Sequence, residues 1–144
     1  MDHKKKGPKD LARLIRRQSL KMVEGAKASH IGSALSIADI VAVLYSIILR
    51  YKSNKPDWDG RDRFILSKGH ACVAVYSALA EVGFFDKSLL DNYGKNASDF
   101  MNHISHKVKG VEFSTGSLGH GLSFGVGKAV ALKRRSASAQ VYVL

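Results

Sequence analysis

"RFILSKGHACVAVYSALAEVG", Arg63–Gly83, passes from a short apolar run through a glycine–histidine turn into a longer stretch of helical periodicity. "RFILS" has the length of a strand, while Ala71, Val75, Ala78, Leu79 and Val82 recur on one face of a helix that Gly83 closes. Further on, "AQVYVL" over residues 139–144 reads as a buried strand, reached through a helix in "GLSFGVGKAVALKRR" over residues 121–135. Strand, helices, strand is the order of an α/β domain with a parallel sheet, here a helix-rich one. Only two strands are legible. A two-stranded parallel sheet is not an independent structure, so the chain reads as part of a larger fold.

The segments before Arg63 predict two helices. Pro8 suits the first turn of a helix over residues 8–28, with Leu11, Leu14, Ile15, Met22 and Val23 on one face. After the break "SHIGS", the run "SIADIVAVLYSIILRY" opens with Ser36 and Asp39 at the spacing of a capping box. Ile37, Ile40, Val41, Leu44, Ile47, Ile48 and Tyr51 make that second helix apolar around most of its circumference, which implies burial. After Gly83, Asp86 can cap a short helix through Tyr93. Residues 94–113 have little periodicity and hold His103 and His106; a loop that long inside a compact domain is usually functional or mobile.

A chain of 144 residues with 45% hydrophobic and 24% charged residues can bury a core and is not disordered by composition. Its one cysteine, Cys72, excludes an internal disulfide, and no His/Cys cluster has zinc-like spacing, so no metal site is read from the residues. The longest apolar stretch, around Ile40–Leu49, falls short of a membrane span, and a cytoplasmic protein is expected. Net charge is +11, and seven Lys or Arg against two Asp fall in the first 17 residues. Residues 1–10 are expected to form a basic, flexible N-terminus within a single unit spanning residues 1–144. Without aromatic interleaving or a known nucleic-acid motif, a solvated basic face or an anionic partner fits this charge better than nucleic acid.

The residues that could carry chemistry lie at element ends. His30 sits in "ASHIGS" between two helices, His70 beyond the first strand, and His103 in the long loop. Side chains displayed at junctions, above all beyond the carboxyl end of a strand, are where α/β sheets place their sites. The segment "GVEFSTGSLGHGLSFGVG", Gly110–Gly127, holds six glycines at the entrance of a helix. Bare backbone there serves either close helix packing, as expected at Gly125 and Gly127, or the approach of a ligand. Neither the dinucleotide fingerprint nor the Walker pattern fits it.

Three segments together resemble the beginning of transketolases, in order and spacing, especially the N-terminal half of forms split into two polypeptides. They are "ASHIGSALSIADIVAVLY", "DRFILSKGHACVAVYSALAEVG" and "GVEFSTGSLGHGLSFGVGKAVA", and the resemblance covers the chain from about Leu11 onward. It implies the first half of a thiamine-diphosphate-binding parallel-sheet domain, in an enzyme that moves a two-carbon ketol unit between sugar phosphates. By the same resemblance His30 lines the substrate channel near the cofactor and His70 lies by the diphosphate and substrate. His103, which keeps the family's distance to "GVE" where His106 does not, contacts the donor sugar. The backbone carbonyl of Gly116 accepts from the aminopyrimidine, Leu118 packs near the ring, and Ser117 belongs to the same cofactor wall. The cofactor supplies the carbanion chemistry, and protein groups position it and shuttle protons.

Two departures from the family pattern stand out. His120 replaces the usual glutamine of "TGSLGQG". The sequence also stops at Leu144, before the Gly-Asp-Gly motif that holds magnesium and diphosphate in the family. A truncated or split form follows as an expectation: the chain alone binds neither thiamine diphosphate nor Mg2+ and is inactive, it is completed by the missing regions or by a C-terminal partner, and its partners are a C-terminal transketolase subunit, a homo-oligomer, or both. The alternative is a non-catalytic module that dimerises or binds a partner through its apolar helices and the edge of its last strand. A basic nucleic-acid-binding domain stands behind both.

Overall fold

The computed structural model describes residues 6–144. Three helices form the core: α1 (Pro8–Gly25), α2 (Ile31–Val43) and α3 (Cys72–Glu81). Beside them lie two short strands, β1 (Arg63–Ile65) and β2 (Val141–Val143), and helix α4 (His120–Arg134). The strands pair in parallel, Arg63 opposite Val141 and Ile65 opposite Val143. This is the expected α/β arrangement.

α1 buries Leu11, Ile15 and Met22, the stripe that its helical period dictates. α3 departs from a one-faced helix, because every residue from Cys72 to Glu81 is buried. Its last residue is a carboxylate. Glu81 is accommodated there because the ammonium groups of Lys6 and Lys87 reach it at 3.2 and 2.8 Å. Burial pushes the Glu81 carboxyl up, but the bonds from Lys87 and Lys6 outweigh it and hold it below its usual range.

α2 corrects the expected boundary. It starts at Ile31 rather than Ser36, with His30 at its N-cap in the left-handed conformation, φ 71°. Ser36 lies inside the helix and donates to the Ser33 carbonyl at 2.8 Å, while Asp39 accepts two bonds from the Arg16 guanidinium of α1. The capping-box spacing is therefore overridden by a tertiary ion pair. At its far end the helix widens into a π turn over Leu44–Ile48. The wide turn brings Leu49 to the inner side and leaves Ile47 and Ile48 exposed.

The membrane expectation also changes. Ile31–Ile48 forms 18 helical residues of mean hydropathy 2.0, a length and composition that could span a bilayer. In this fold its inner face, Ala34, Ile37, Ala38, Val41 and Ala42, is buried. Of the basic flexible stretch expected over residues 1–10, residues 1–5 lie outside the described residues and Pro8–Asp10 form the first turn of α1. A proline at the start of a helix needs no partner for a missing N–H, so the helix begins there.

α4 lies close on the sheet because its contact points are glycines. A Cβ on Gly125 would stand 2.5 Å from the Val143 side chain, and one on Gly121 2.7 Å from the Ser67 Cα. Gly127, expected to share this packing, faces open space instead. Gly125→Ala should destabilise the fold by about 1–3 kcal/mol by forcing α4 off β2, whereas Gly127→Ala should be neutral or stabilising. Urea unfolding of the two variants checks the difference, and equal midpoints would contradict this packing.

Candidate functional site

The carboxyl end of β1 opens onto a junction of four segments. After Ile65 the chain passes Lys68 into a single 3-10 turn, Gly69–Ala71, which carries His70 ahead of α3. Gly69 is held against the glycine-rich segment so closely that a Cβ would collide with the Thr115 carbonyl oxygen. Thr115 is itself fixed, its buried hydroxyl donating to the Leu66 carbonyl at 2.5 Å. These contacts place the His70 turn beside Gly116 without any side chain between.

The long loop reaches the same place. The Ile104 N–H donates to the Gly69 carbonyl at 2.9 Å. From within α3, the fully buried Tyr76 donates its hydroxyl proton to the His103 carbonyl at 3.2 Å and accepts from the Ser105 N–H at 3.0 Å. One tyrosine thus fixes the backbone on both sides of Ile104. His30 arrives from the third direction, at the turn between α1 and α2.

The three rings converge. His30 and His70 have centroids 5.1 Å apart, His30 and His103 6.0 Å, and His70 and His103 6.4 Å. Serines hold two of them: His70 Nε2 lies 2.9 Å from Ser33 Oγ, and His30 Nδ1 lies 3.2 Å from Ser29 Oγ. Among the described residues the second nitrogen of each of those rings has no protein partner, nor has either nitrogen of His103. Lys68 stands alongside, its ammonium 3.1 Å from Ser36 Oγ. His106 goes elsewhere, its Nδ1 2.7 Å from Ser114 Oγ.

Gly116, Ser117 and Leu118 form the exposed rim beyond Thr115. Among the described residues nothing beyond its own chain neighbours lies within 4 Å of where a Gly116 Cβ would be, and Leu118 is 70% exposed. An apolar side chain and bare backbone facing outward fit a flat, partly apolar ligand. His120, two residues on, is also exposed at the start of α4. Among the described residues no three His, Cys, Asp or Glu side chains converge in a metal-holding group.

Ser33, Tyr76 and Thr115 position the site without a clear mark in the sequence. Ser33 follows His30 in "HIGS" and carries a faint signal as a hydroxyl one turn from a junction histidine. Tyr76 reads only as one more large residue of a buried helix, because the direction of its hydroxyl is set by a loop nearly thirty residues away.

Burial, joined by the neighbouring charges of His30, His103 and Lys68, lowers the His70 pKa below its ordinary 6.5. The neutral ring is favoured in the fold. A depressed value means that this contribution to stability is complete above about pH 6.5, the unfolded value, and is lost as pH falls through the folded one. Titration of the His70 ring protons by NMR should therefore give a midpoint below 6.5, and His103→Ala should move it upward. A midpoint unmoved by that substitution would remove His103 from the electrostatics of the cluster.

The family described as "Transketolase, thiamine diphosphate binding domain" matches residues 8–141. A transketolase family protein of Sinorhizobium fredii is 42% identical over 134 residues, covering 92% of this chain and 48% of its own length. An apulose-4-phosphate transketolase subunit of Phocaeicola vulgatus is 42% identical over 129 residues, covering 90% and 46%. Among solved structures, transketolase from Campylobacter jejuni superposes with a TM-score of 0.87 at 33% identity, over 94% of this chain and 23% of that one. The chain belongs to the transketolase family, and it spans about half the length of the two relatives just named.

Proposed function

We propose that this chain is the N-terminal portion of a transketolase, which transfers a two-carbon ketol unit between sugar phosphates with thiamine diphosphate and Mg2+. The observation that carries the reading is the convergence of His30, His70 and His103 beside the bare rim at Gly116–Leu118. The cofactor, when bound, supplies the carbanion chemistry. His70, kept neutral and held by Ser33, presents one ring nitrogen to a diphosphate or substrate oxygen. His30 and His103 hydrogen-bond sugar hydroxyls and move protons at the reacting carbon. Gly116 offers its carbonyl, and Ser117 and Leu118 the adjoining wall, to the aminopyrimidine.

The rim at Gly116–Leu118 suits the pyrimidine side of such a cofactor, while among the described residues no three His, Cys, Asp or Glu side chains are grouped to hold its metal. The groups that would hold the metal belong to the rest of the domain, where the resemblance places the Gly-Asp-Gly motif, and a C-terminal subunit, as the subunit name of the Phocaeicola relative suggests, a second copy, or both complete the enzyme. Support for a partner comes from α4, where Leu122, Val126 and Val130 form an exposed apolar row, with the exposed Leu118 just ahead of the helix. That row equally favours a second reading, a non-catalytic module that only dimerises or binds a partner. A cytoplasmic setting accompanies the first.

Assayed alone with thiamine diphosphate, Mg2+ and a ketose phosphate donor, the chain should show no ketol transfer and no micromolar cofactor binding by calorimetry. Binding at that level would overturn its dependence on a partner. With the rest of the domain present and a C-terminal transketolase subunit added, activity should appear, and His103→Ala or His30→Ala should lower kcat/KM by about 10²–10⁴-fold with the circular dichroism unchanged. Complex formation without turnover would instead establish the non-catalytic reading.

A further inference from the structure

A second group of charges lies at the opposite, amino-terminal end of β1. Glu112, its side chain 8% exposed, receives three cations at once. Arg61 Nη2 lies 2.5 Å from Oε2, while Lys128 Nζ at 2.8 Å and Arg63 Nε at 3.5 Å share Oε1. Burial pushes the Glu112 carboxyl up, and Lys128, Arg61 and Arg63 together hold it below its usual value, so it stays ionised. One carboxylate balances one of the three cations. Both arginine side chains are nine-tenths buried, where an uncompensated charge is costly.

Two of these cations, Arg63 and Lys128, line a cavity of about 340 Å³ with Arg135, Asp59 and the apolar Ala131, Leu132 and Ala137. Arg135 and Asp59 make no ion pair among the described residues. Counting the cavity wall with the Glu112 cluster gives four cations (Arg61, Arg63, Lys128, Arg135) against two carboxylates (Glu112, Asp59), a surplus of two. The end of α4 does not cancel it. Its last carbonyls already accept from the backbone N–H groups of Arg135, Ser136 and Ala137.

We propose that this cavity binds a small phosphate monoester, with Arg63, Lys128 and Arg135 on the phosphate and Ala131, Leu132 and Ala137 against its carbon skeleton. A monoester near neutral pH carries about −1.5 to −2 charge, which matches the surplus. Arginine forks suit its oxygens bidentately, and the lysine adds a point charge. The cavity volume lies at the small end of ligand sites, room for a sugar-sized molecule and little more. The histidines take no part, since they stand beyond the other end of the same strand.

The test is calorimetric titration of the full chain, in phosphate-free buffer, with inorganic phosphate, fructose 6-phosphate and fructose. Saturable binding of both phosphates is expected, tighter for fructose 6-phosphate, with none for fructose. Arg135 forms no ion pair that its loss would break, so Arg135→Glu should keep the fold by circular dichroism while weakening phosphate binding by about tenfold or more. Amide shifts in the 15N spectrum should centre on Lys128 and Arg135–Ala137. Absence of saturable binding, binding undiminished in Arg135→Glu, or shifts centred on Lys68–His70 would each overturn the site. Fructose 6-phosphate binding no tighter than inorganic phosphate would overturn the assignment of the apolar wall.

Discussion

The carboxylate of Asp62 holds the sheet in register, and the sheet positions everything else. Strands of three residues make too few ladder bonds to choose their own alignment. Asp62, almost fully buried, accepts from the Arg50 N–H at 2.8 Å, from the Arg50 guanidinium at 3.2 and 2.8 Å, and from the Gln140 N–H at 2.8 Å. It thereby ties the chain leaving α2, the entry to β1 and the entry to β2 at one point. Burial raises its pKa, but the bonds from Arg50 and the N–H groups of Gln140 and Arg50 prevail and lower it. With the strands so aligned, α4 can rest its glycines on β1 and β2. The rim before α4 then meets the histidine turn after β1.

Much of this was legible because it is periodic. The strand at Arg63, the helix after it, α4 and the last strand all follow from apolar spacing and turn residues, and that order gives the parallel sheet. The beginning of α2 was not. Ser36 and Asp39 carry a local capping signal, but Asp39 is used by Arg16 across two helices, and a local rule cannot see a partner twenty-three residues away. In the site, His30, His70 and His103 could be read as junction residues. What brings the rings together is a tyrosine hydroxyl, a serine hydroxyl and a glycine against a carbonyl, contacts between segments distant in sequence.

The charge distribution has a similar logic. The composition suggests a simple basic surplus, yet three of the twelve acidic residues, Asp62, Glu81 and Glu112, have side chains at most 8% exposed. Each is met by at least one cation. The acids thus work inside the fold as anchors for basic side chains, leaving the surface more positive than the sequence count implies.

His30 shows where folding and display pull apart. A left-handed backbone at a non-glycine residue costs about 1–2 kcal/mol, and glycine would adopt it freely. A sequence shaped for stability alone would place glycine or asparagine at this turn. Retaining an imidazole there means that the chain tolerates a standing local strain to keep one ring aimed at two others. On the function proposed above, the turn between α1 and α2 is a position where a variant made more stable would give up one ring of the site.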